Sequence, residues 1–318
     1  MKYYIDKKIV IAGGGGFVGS HIAEELEKYK CKISIPHTKD GWDFTLLDKC
    51  MTYLEETKPD IVINCAAHQG GILYDKIKRG EIYYDNLLMG TYLMEASRLS
   101  GVKKYINVSA ACAYPGYLDK EELGENDYWS GPIHETVLNY GFTKKAQIVQ
   151  GWCYKEQYGF NSIHLIMANM YGPRERFHPD RSHGLAALIK KVYDSKRDGQ
   201  PYVEVWGSGK PVREWLYVKD AARAILAAGE KYNDASPMNI GSGMGHTITD
   251  LVKIIMDIVG YTGKIKYLTD MPDGAMKKTL QVDKMHENLG MKADTPIKVG
   301  IKETVDWLDK NYTYAVSR

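Results

Sequence analysis

The sequence predicts an α/β fold whose core is a doubly wound parallel sheet, followed by a smaller mixed α/β region. Short β-branched runs alternate with amphipathic helices through the first half of the chain, and this alternation is typical of parallel strands joined by helices. A glycine-rich loop, AGGGGFVGS, comes directly after the first of these runs. After Tyr171-Gly172-Pro173 the alternation loosens, which indicates a second region of different architecture.

The individual elements follow from this pattern in chain order. Each predicted strand is a short run rich in β-branched residues, at residues 8–12, 32–35, 60–66, 104–108, 162–167 and 203–206. Each predicted helix is an amphipathic segment, at residues 17–29, 46–56, 81–100, 138–158, 185–193, 219–228, 248–259 and 301–311. Residues 174–183 are polar and irregular, and we expect a substrate loop there because binding residues concentrate in loops held by a rigid scaffold.

Composition excludes several classes of protein. The 318 residues carry 42 Lys and Arg against 40 Asp and Glu, without the concentrated basic stripe of a nucleic-acid-binding protein. No apolar run approaches the roughly 20 residues of a membrane span, and the chain enters a strand at once, so we expect neither membrane insertion nor a signal peptide. The five cysteines have no metal-ligand spacing, which predicts no metal site and fits a reducing cytoplasm.

The glycine loop predicts a dinucleotide-binding site. Gly13, Gly16 and Gly19 follow the first strand and open the first helix. Such glycines allow a tight turn, a close backbone approach to a pyrophosphate and close contact between helix and sheet, and the helix N-terminus stabilises phosphate charge. A merely flexible turn is the alternative, but strand, loop and helix are all in place. The Gly-x-x-Gly-x-x-Gly spacing favours short-chain dehydrogenases.

The second strand predicts which dinucleotide binds. It ends in SIPHTKD, without an acid at its tip to bind a ribose 2′-hydroxyl. His37 and Lys39 offer positive charge for a 2′-phosphate instead, which favours NADP over NAD. Two solvent-exposed loop cations are the alternative interpretation. Asp43 and Phe44, in the segment WDFT, are expected to border the adenine.

A phenol and an ammonium group form a predicted proton-transfer pair. Tyr140 and Lys144 lie four residues apart in NYGFTKK, side by side on one helical face. The same spacing recurs elsewhere in this Tyr-rich chain, at Tyr3/Lys7, Tyr4/Lys8 and Tyr74/Lys78. Only Tyr140 follows both a glycine loop and the strand-end segment VSAACAYPG. We expect the Lys144 cation to favour the phenolate and to lower the pKa of Tyr140 from about 10.

These residues resemble a known family. The chain is similar over nearly its whole length to the extended short-chain dehydrogenase/reductases, and among them to the GDP-L-fucose synthases, which are GDP-4-keto-6-deoxymannose 3,5-epimerase/4-reductases. Besides the glycine loop and Tyr140/Lys144, the resemblance rests on NCAAHQGGI (64–72), SAACAYP (109–115), GPIHETVLNYGFTKK (131–145), MANMYGPRERFHPDRSHG (167–184), VWGSGKPVREWLYVKD (205–220), NIGSG (239–243) and PDGAMKK (272–278). The polar segments around His183 and Arg213 are the most specific, because core packing does not require them.

The resemblance implies a two-stage reaction on a GDP-sugar. Cys112 would act as base and His183 as acid at C3 and C5, whose protons a ketone at C4 acidifies. Hydride from NADPH would then reach C4, with a proton from Tyr140, while Lys144 holds the nicotinamide ribose. A thiolate serves as a base if a nearby cation lowers the thiol pKa. The alternatives are a small buried cysteine and a satisfied loop histidine.

The resemblance also implies which residues line the two binding sites. For the cofactor these are Gly13, Gly15, Gly16, Phe17, Val18, His37, Lys39, Asp43, Phe44, Ala66, Ala67, His68, Val108, Ser109, Ala110, Tyr140, Lys144, Met167, Asn169 and His183. For GDP and the sugar these are Asn169, Lys191, Trp206, Arg213, Asp273 and Lys278. Arg and Lys suit a diphosphate and Trp suits a base or sugar. Trp206 could equally belong to the core, and Arg213 and Lys278 could be surface charges.

Two domains are expected from the change in pattern. Residues 1–170, with about 214–243, would form the NADP-binding Rossmann domain. Residues 171–213 and 244–318 would form the nucleotide-sugar-binding domain. Ligands would then bind at the carboxyl ends of the parallel strands.

The family resemblance implies a homodimer. Helices 81–100 and 138–158 are those that pair between subunits in this family, and they contain the apolar segments TYLMEA and IVQGWCY. Burial within one chain explains these apolar residues equally well. The expected partners are therefore a GDP-sugar and a second copy of the chain, with no nucleic acid and no membrane.

One residue departs from the family pattern. Most relatives carry Ser or Thr four residues before the position of Tyr114, whereas this chain has Ala110. Losing one preorganised hydrogen-bond donor costs about 10²–10³ in rate. Ser109 is expected to point to the opposite side of the strand, so a water or Thr143 would have to substitute. An alternative function is therefore a GDP-hexose or GDP-heptose epimerase with little net reduction at C4, and a third is a non-catalytic nucleotide sensor or scaffold.

Overall fold

A computed structural model describes residues 1–179, 181–182, 184–271, 273 and 275–317. The strands of these residues, β1 to β14 in chain order, are Lys8–Ala12, Lys32–Ser34, Ile61–Asn64, Lys104–Ala110, Glu122–Leu123, Ser162–Met167, Met170–Tyr171, Tyr202–Trp206, Val212–Glu214, Leu216–Tyr217, Met238–Ile240, Gly245–Thr247, Lys264–Leu268 and Lys277–Leu280. The helices, α1 to α10, are Phe17–Leu26, Leu47–Thr57, Ile72–Ile77, Arg79–Leu99, Leu138–Tyr158, Gly184–Arg197, Val218–Lys231, Ile248–Val259, Asp283–Leu289 and Ile297–Ser317.

A six-stranded parallel sheet forms the centre of the molecule. Its strand order is β11-β6-β4-β3-β1-β2, and every neighbouring pair runs parallel. The chain leaves β1 towards β2 on one side and then crosses to β3 on the other. The order therefore reverses at β1, and in open parallel sheets such a reversal opens a crevice at the carboxyl ends of the strands. The predicted doubly wound α/β fold is confirmed.

Both faces of this sheet are buried, because the side chains of β1 alternate between two apolar clusters. Ile9 and Ile11 pack with α1 and α7 in one cluster. Val10 and Ala12 pack with α2 and α4 in the other. A strand buried on both faces needs an unbroken apolar run rather than alternation, which explains the sequence KIVIA.

Smaller sheets follow in the second half of the chain. A four-stranded sheet has the order β12-β9-β14-β5, and two-stranded sheets join β10 to β7 and β13 to β8. Helices α6, α8 and α10 share a third apolar cluster around β8. Strand β5, at residues 122–123, ties the four-stranded sheet back to the first half of the chain. The proposed two-domain division remains a proposal.

The predicted elements differ from the structure mainly at their ends. Helix α5, helix α8 and strand β6 begin and end where the pattern predicts. Helix α1 ends at Leu26 rather than at residue 29, because the chain turns there to enter β2. Helix α10 extends beyond the prediction in both directions, with non-helical backbone at Asn311, where the predicted helix ends. In the described residues no helix is both long and apolar enough to cross a bilayer.

Replacing Gly19 by alanine tests the packing of α1 on the glycine loop. A Cβ atom at Gly19 would overlap the carbonyl oxygen of Gly13 and lie 2.7 Å from the Cα atom of Gly14. Because backbone must shift, we expect Gly19→Ala to lower the free energy of unfolding by about 1–3 kcal/mol in urea denaturation. Gly80→Ala is the matched control, since a Cβ atom there meets open space on α4. Equal stability of the two variants would contradict the packing argument.

Candidate active site

The glycine loop is packed too closely to accept side chains. Gly13 has φ +77°, and a Cβ atom there would lie 2.8 Å from the backbone nitrogen of Ala66. Gly16 immediately precedes α1 and offers no capping side chain, so Phe17 and Val18 begin the helix with uncapped amides. Such amides, together with the helix dipole, bind phosphate.

A cleft of about 520 Å³ opens beside this loop at the carboxyl ends of the central strands. It is lined by Gly13, Gly15, Gly16, Pro36, His37, Thr38, Trp42, Asp43, Phe44, Thr45, Ala66, Ala67, His68, Asp85 and Met89. Most of the predicted residues that precede β4 thus meet at one cleft. Its volume, its uncapped helix N-terminus and its side-chain-free loop fit a dinucleotide.

The two basic residues after β2 differ in their placement. The His37 imidazole lies against the loop, since a Cβ atom at Gly15 would be 2.8 Å from its Cε1 atom. Lys39 is exposed on the short helical turn Thr38–Asp40. His37 lines the cleft, so it is the better-placed of the two for a group on the adenosine side.

The WDFT segment forms one wall of the cleft. The Asp43 carboxylate accepts hydrogen bonds from the Thr45 amide at 3.0 Å and the Thr45 hydroxyl at 2.7 Å. Phe44 is buried with its ring 5.7 Å from the Tyr53 ring. Trp42, which the sequence prediction omitted, packs on the same tyrosine at 4.7 Å. The segment is therefore held rigidly at the mouth of the cleft.

A hydrogen-bonded chain links the cleft to the predicted substrate loop. His68 contacts the Asp85 carboxylate at 2.7 Å through Nδ1 and the Tyr74 hydroxyl at 2.8 Å through Nε2. Arg181 donates to the same hydroxyl at 3.0 Å. Asp85 and Met89 line the cleft from α4, and sequence analysis missed both. Their four-residue spacing on one helix face is the signal that could have found them.

The predicted proton-transfer pair lies on α5, and both side chains are buried. The Lys144 ammonium is 5.4 Å from the centre of the Tyr140 ring and donates to the Val108 carbonyl at 3.1 Å. Burial lowers the pKa of Lys144 to about 8, against the attraction of Cys65 and Cys112. Burial raises the pKa of Tyr140 well above 10. The expectation that the pKa of Tyr140 is lowered is wrong, because burial raises it most and Cys112, Asp75 and Tyr128 raise it further.

The Cys112 thiol belongs to the same group of side chains. It lies on the helical turn Ala111–Ala113 directly after β4 and is partly exposed. Burial raises the pKa of Cys112 to about 11, with Lys144 and Lys278 acting in the opposite direction. The structure thus brings together a thiol, a phenol and two ammonium groups from distant parts of the chain.

Position 110, at the end of β4, is alanine, where the family resemblance predicts serine or threonine. Ala110 is partly exposed and lies opposite Met167 of β6 in the register. The Ser109 hydroxyl is buried at 3.3 Å from the Tyr128 hydroxyl. Thr143 donates to the Tyr140 carbonyl at 2.7 Å, so that hydroxyl is already used within the helix. Neither Ser109 nor Thr143 takes the place of a donor at position 110.

His183, the predicted acid, lies outside the described residues. The loop that leads to it contacts the segment after β3, where Arg176 donates to the Gln69 carbonyl at 3.2 Å. Arg181 adds the contact with Tyr74 described above, with its guanidinium 4.5 Å from the ring centre. The predicted substrate loop is therefore attached to the wall of the cleft beside the glycine loop.

Two of the predicted nucleotide-sugar residues form a cation–aromatic pair. The Lys191 ammonium lies 5.1 Å from the centre of the Trp206 ring, and burial lowers the pKa of Lys191. Trp206 is 61% exposed, so it is not a core residue. An exposed indole beside a cation offers a flat surface for a base or sugar.

The other residues predicted to bind the nucleotide sugar extend from the Lys191–Trp206 pair towards Cys112. The Asp273 carboxylate accepts from the Ser208 amide and hydroxyl, both at 2.7 Å. Arg213 donates to the Asp273 carbonyl at 3.3 Å and pairs in register with Lys278 on β14. Burial lowers the pKa of Lys278, although the Cys112 thiol acts against this. Asn169 donates to the backbone carbonyl of Glu214, the residue after Arg213, at 3.4 Å.

Two buried titratable residues beside the reacting groups were not predicted. Asp75 accepts from the Gly70 amide at 3.2 Å, and burial raises the pKa of its carboxyl. Tyr128 is fully buried with its ring 4.9 Å from that of Tyr114, and burial raises the pKa of its phenol. Both interact electrostatically with Cys112. No motif marks them, since their proximity arises only from tertiary packing.

Known proteins resemble this chain over nearly its whole length. The family profile described as the NAD dependent epimerase/dehydratase family matches residues 9–241. The chain is 32% identical over 305 residues to a GDP-L-fucose synthase of Sinorhizobium fredii, covering 96% of each protein. A solved GDP-L-fucose synthetase from Naegleria fowleri bound to NADP has a TM-score of 0.90 at 28% identity, covering 99% of this chain and 98% of that one. A GDP-6-OMe-4-keto-L-xylo-heptose reductase from C. jejuni has a TM-score of 0.88 at 25% identity, covering 96% and 98% respectively.

Replacing Lys144 by methionine tests the energetic consequence of its burial. The folded-state pKa of about 8 lies below the unfolded value of about 10.4, so at pH 7 the buried charge destabilises the fold. We expect Lys144→Met to raise the free energy of unfolding at pH 7 by about 2 kcal/mol, after the lost bond to Val108 is counted. Between pH 8 and about 10.4 the unfolded state binds the extra proton, so wild-type stability rises with pH and the difference shrinks.

The measurement is urea denaturation of both proteins at several pH values. Lys253→Met, at an exposed position on α8, is the control and should change stability by no more than about 0.5 kcal/mol at any pH. A Lys144→Met variant that is less stable than wild type at pH 7 would contradict the argument.

Proposed function

The chain belongs to the NAD-dependent epimerase/dehydratase family, and we propose that it is an NADP-dependent GDP-4-keto-6-deoxyhexose 3,5-epimerase/4-reductase. Its product would be GDP-L-fucose or a related GDP-sugar. The observation that carries this proposal is the convergence of Cys112, Tyr140, Lys144 and Lys278 at one place. A carbon base, a proton donor and cations are the groups that such a reaction requires.

Epimerisation would use the thiol of Cys112. A ketone at C4 acidifies the protons at C3 and C5, and the thiolate removes one of them in each step. With its pKa near 11, the thiol is mostly protonated at neutral pH, and further positive charge at the site would increase the thiolate fraction. We propose His183 as the acid that returns a proton to the opposite face.

Reduction would use the pair on α5. The nicotinamide cofactor, when bound, supplies a hydride to C4. Tyr140 donates its proton to the developing alkoxide, and Lys144 holds the nicotinamide ribose while its ammonium balances the phenolate that remains. The high pKa of Tyr140 keeps the phenol protonated until the alkoxide forms, which suits a general acid.

Substrate binding would use the strip that runs from Trp206 to Lys278. Arg213 and Lys278 suit the diphosphate, and Trp206 with Lys191 suits the guanine end. Asn169 and Asp273 would complete the contacts to sugar and nucleotide. The order of these residues along the strip supports a long ligand with its sugar beside Cys112.

NADP rather than NAD is the cofactor that we propose. His37 lines the cleft against the glycine loop, and Lys39 follows on the next turn. A 2′-phosphate on the adenosine ribose would find positive charge there, whereas β2 ends without an acid that could bind a ribose hydroxyl. The solved relative from Naegleria fowleri that binds NADP supports this choice.

The epimerase alternative rests on Ala110. Neither Ser109 nor Thr143 directs a free hydroxyl to that position, so the C4 oxygen would lose one donor, which typically costs about 10²–10³ in rate. Epimerisation at C3 and C5 does not require that donor. The main proposal remains the reductase, because Tyr140 and Lys144 are both retained.

An isotope experiment tests these proposals. The protein is incubated with GDP-4-keto-6-deoxymannose and NADPH in deuterated water, and product deuteration is followed by mass spectrometry while absorbance reports NADPH. We expect deuterium at C3 and C5 together with loss of NADPH. Cys112→Ser should reduce deuterium uptake by about 10²–10⁴-fold, while Tyr140→Phe should slow NADPH loss and leave deuterium uptake. Cys153→Ser, at an exposed cysteine, is the control.

Each outcome selects one proposal. Deuterium uptake without NADPH loss would favour the epimerase. Neither signal from the wild-type protein would contradict the assignment to this substrate. Unchanged activity in both site variants would favour a protein that kept the fold without the chemistry.

We also propose a cytoplasmic homodimer. The five cysteines are free thiols, which suits a reducing compartment. Helices α4 and α5 pack together and expose several apolar side chains, among them Tyr84, Phe142 and Val149. An exposed apolar face on two adjacent helices suits pairing with a second copy of itself.

Sedimentation at micromolar concentration tests the dimer. We expect about twice the 36.0 kDa chain mass for the wild-type protein. Phe142→Asp should give a folded monomer, whereas Val299→Asp, at an exposed position on α10, should leave the dimer intact. A wild-type monomer would remove the proposal.

A further inference from the structure

Glu214 is a buried carboxylate whose partners belong to separate parts of the chain. It ends β9 and is only 2% exposed. One oxygen accepts from the Leu280 amide at 2.6 Å, and the other accepts from the Gly243 amide at 2.9 Å. The Ser242 hydroxyl lies at 3.5 Å from the second oxygen. The carboxylate thus joins β9, β14 and the turn that follows the edge strand of the central sheet.

The Glu214 carboxylate lies at the point where β14 changes its pairing partner from β9 to β5. Lys277 and Lys278 pair with β9, whereas Thr279 and Leu280 pair with β5. The Leu280 amide would therefore lack a strand acceptor on the β9 side, and Glu214 supplies one. A buried amide without an acceptor is costly, so this bond determines where β14 leaves β9.

The positions of the two residues that we propose for the diphosphate depend on this junction. Arg213 directly precedes Glu214, and Lys278 of β14 pairs in register with Arg213. Both side chains are partly buried, and their like charges repel each other, which contributes to the lowered pKa of Lys278. Like charges placed opposite each other destabilise a strand pair. The Glu214 carboxylate adds a contact between the two strands that does not depend on these side chains, because it accepts from the Leu280 amide.

We propose that Glu214 is the positioning residue that holds Arg213 and Lys278 at the spacing required by a nucleoside diphosphate. This inference rests on the proposed function and deepens it, because it assigns the geometry of the diphosphate site to a residue that does not touch the ligand. Asn169 supports the same assignment, since its side chain donates to the Glu214 carbonyl at 3.4 Å. Three of the proposed binding residues thus lie at this junction, with Asn169 bound to the backbone of Glu214 rather than to its carboxylate.

Glu214→Gln tests the inference with little change of shape. The amide group retains one acceptor but turns an NH₂ donor towards a backbone amide, so one of the two strong bonds is lost. We expect the Kd for GDP, measured by calorimetry, to rise by at least about tenfold, as for loss of preorganisation at a binding site. The Kd for NADPH should change by less than about twofold, because the cofactor cleft is formed by other elements. The KM for the keto-sugar should rise while kcat is largely retained.

Asp220→Asn is the matched control. Asp220 is an equally buried carboxylate that accepts from the Thr295 amide at 3.0 Å and the Thr295 hydroxyl at 2.9 Å. Its hydrogen bonds, within the described part of the chain, reach none of the proposed substrate residues. We expect Asp220→Asn to lower the melting temperature and to leave the Kd for GDP unchanged.

The outcomes separate the inference from the proposed function. Unchanged GDP binding by Glu214→Gln would overturn the inference, and so would a parallel loss of GDP and NADPH binding, which indicates general unfolding. If Glu214→Gln does not fold, Glu214→Asp takes its place, because the shorter carboxylate keeps its charge but cannot reach both amides; its GDP affinity should also fall. If the wild-type protein binds NADPH but not GDP, the proposed nucleotide sugar is wrong and the inference fails with it.

Discussion

Desolvation of the reacting groups is the constraint on which the rest of this site depends. Burial moves the pKa of Cys112, Tyr140 and Lys144 in the direction that removes charge from each of them. At neutral pH the thiol and the phenol are therefore uncharged, whereas Lys144, with a pKa of about 8, is still mostly an ammonium group. Negative charge that forms on the thiol or the phenol would be balanced by the two lysines near Cys112. A nearby cation is what a thiol needs to act as a base.

The second constraint is the length of the ligand that the site has to hold. The proposed binding residues extend from Trp206, on an outer strand, to Lys278, beside the reacting thiol. Most of them come from α6, β8, β9, β14 and the connection after β13, none of which belongs to the central sheet, and Asn169 comes from the connection after β6. The central sheet forms the cleft beside the glycine loop, helix α5 carries the proposed catalytic pair, and the smaller sheets carry most of the proposed nucleotide-sugar residues. In the proposed function, the reaction would take place between them, near the carboxyl ends of β4 and β6.

Local sequence patterns were informative where a feature depends on residues that are close together in the sequence. The four-residue spacing of Tyr140 and Lys144 and the close packing at Gly13 and Gly19 were readable, because short-range geometry determines them. The pKa of Tyr140 was predicted in the wrong direction, since a spacing does not reveal how deeply a helix face is buried. Trp206 was ambiguous for the same reason, because an indole beside apolar residues suits both core and surface.

Residues that act through tertiary contacts could not be predicted at all. Asp75 and Tyr128 lie in no motif, and Glu214 lies in the segment VWGSGKPVREWLYVKD (205–220) without any pattern that singles it out. Each gains its role from a partner far along the chain. His183 was predicted only from a resemblance, and it lies outside the described residues. Strand ends were less predictable than strand centres, because turns and register shifts, as at β14, depend on what packs against them.

The connectivity of the four-stranded sheet has a consequence for synthesis of the protein. Strand β9 ends at residue 214, but its partner β14 begins only at residue 277. Proteins are made from the N-terminus and fold by parts as they emerge. The part of the chain that forms the cleft beside the glycine loop can therefore fold on the ribosome before β14 has been made. The site that we propose for the nucleotide sugar would be completed last.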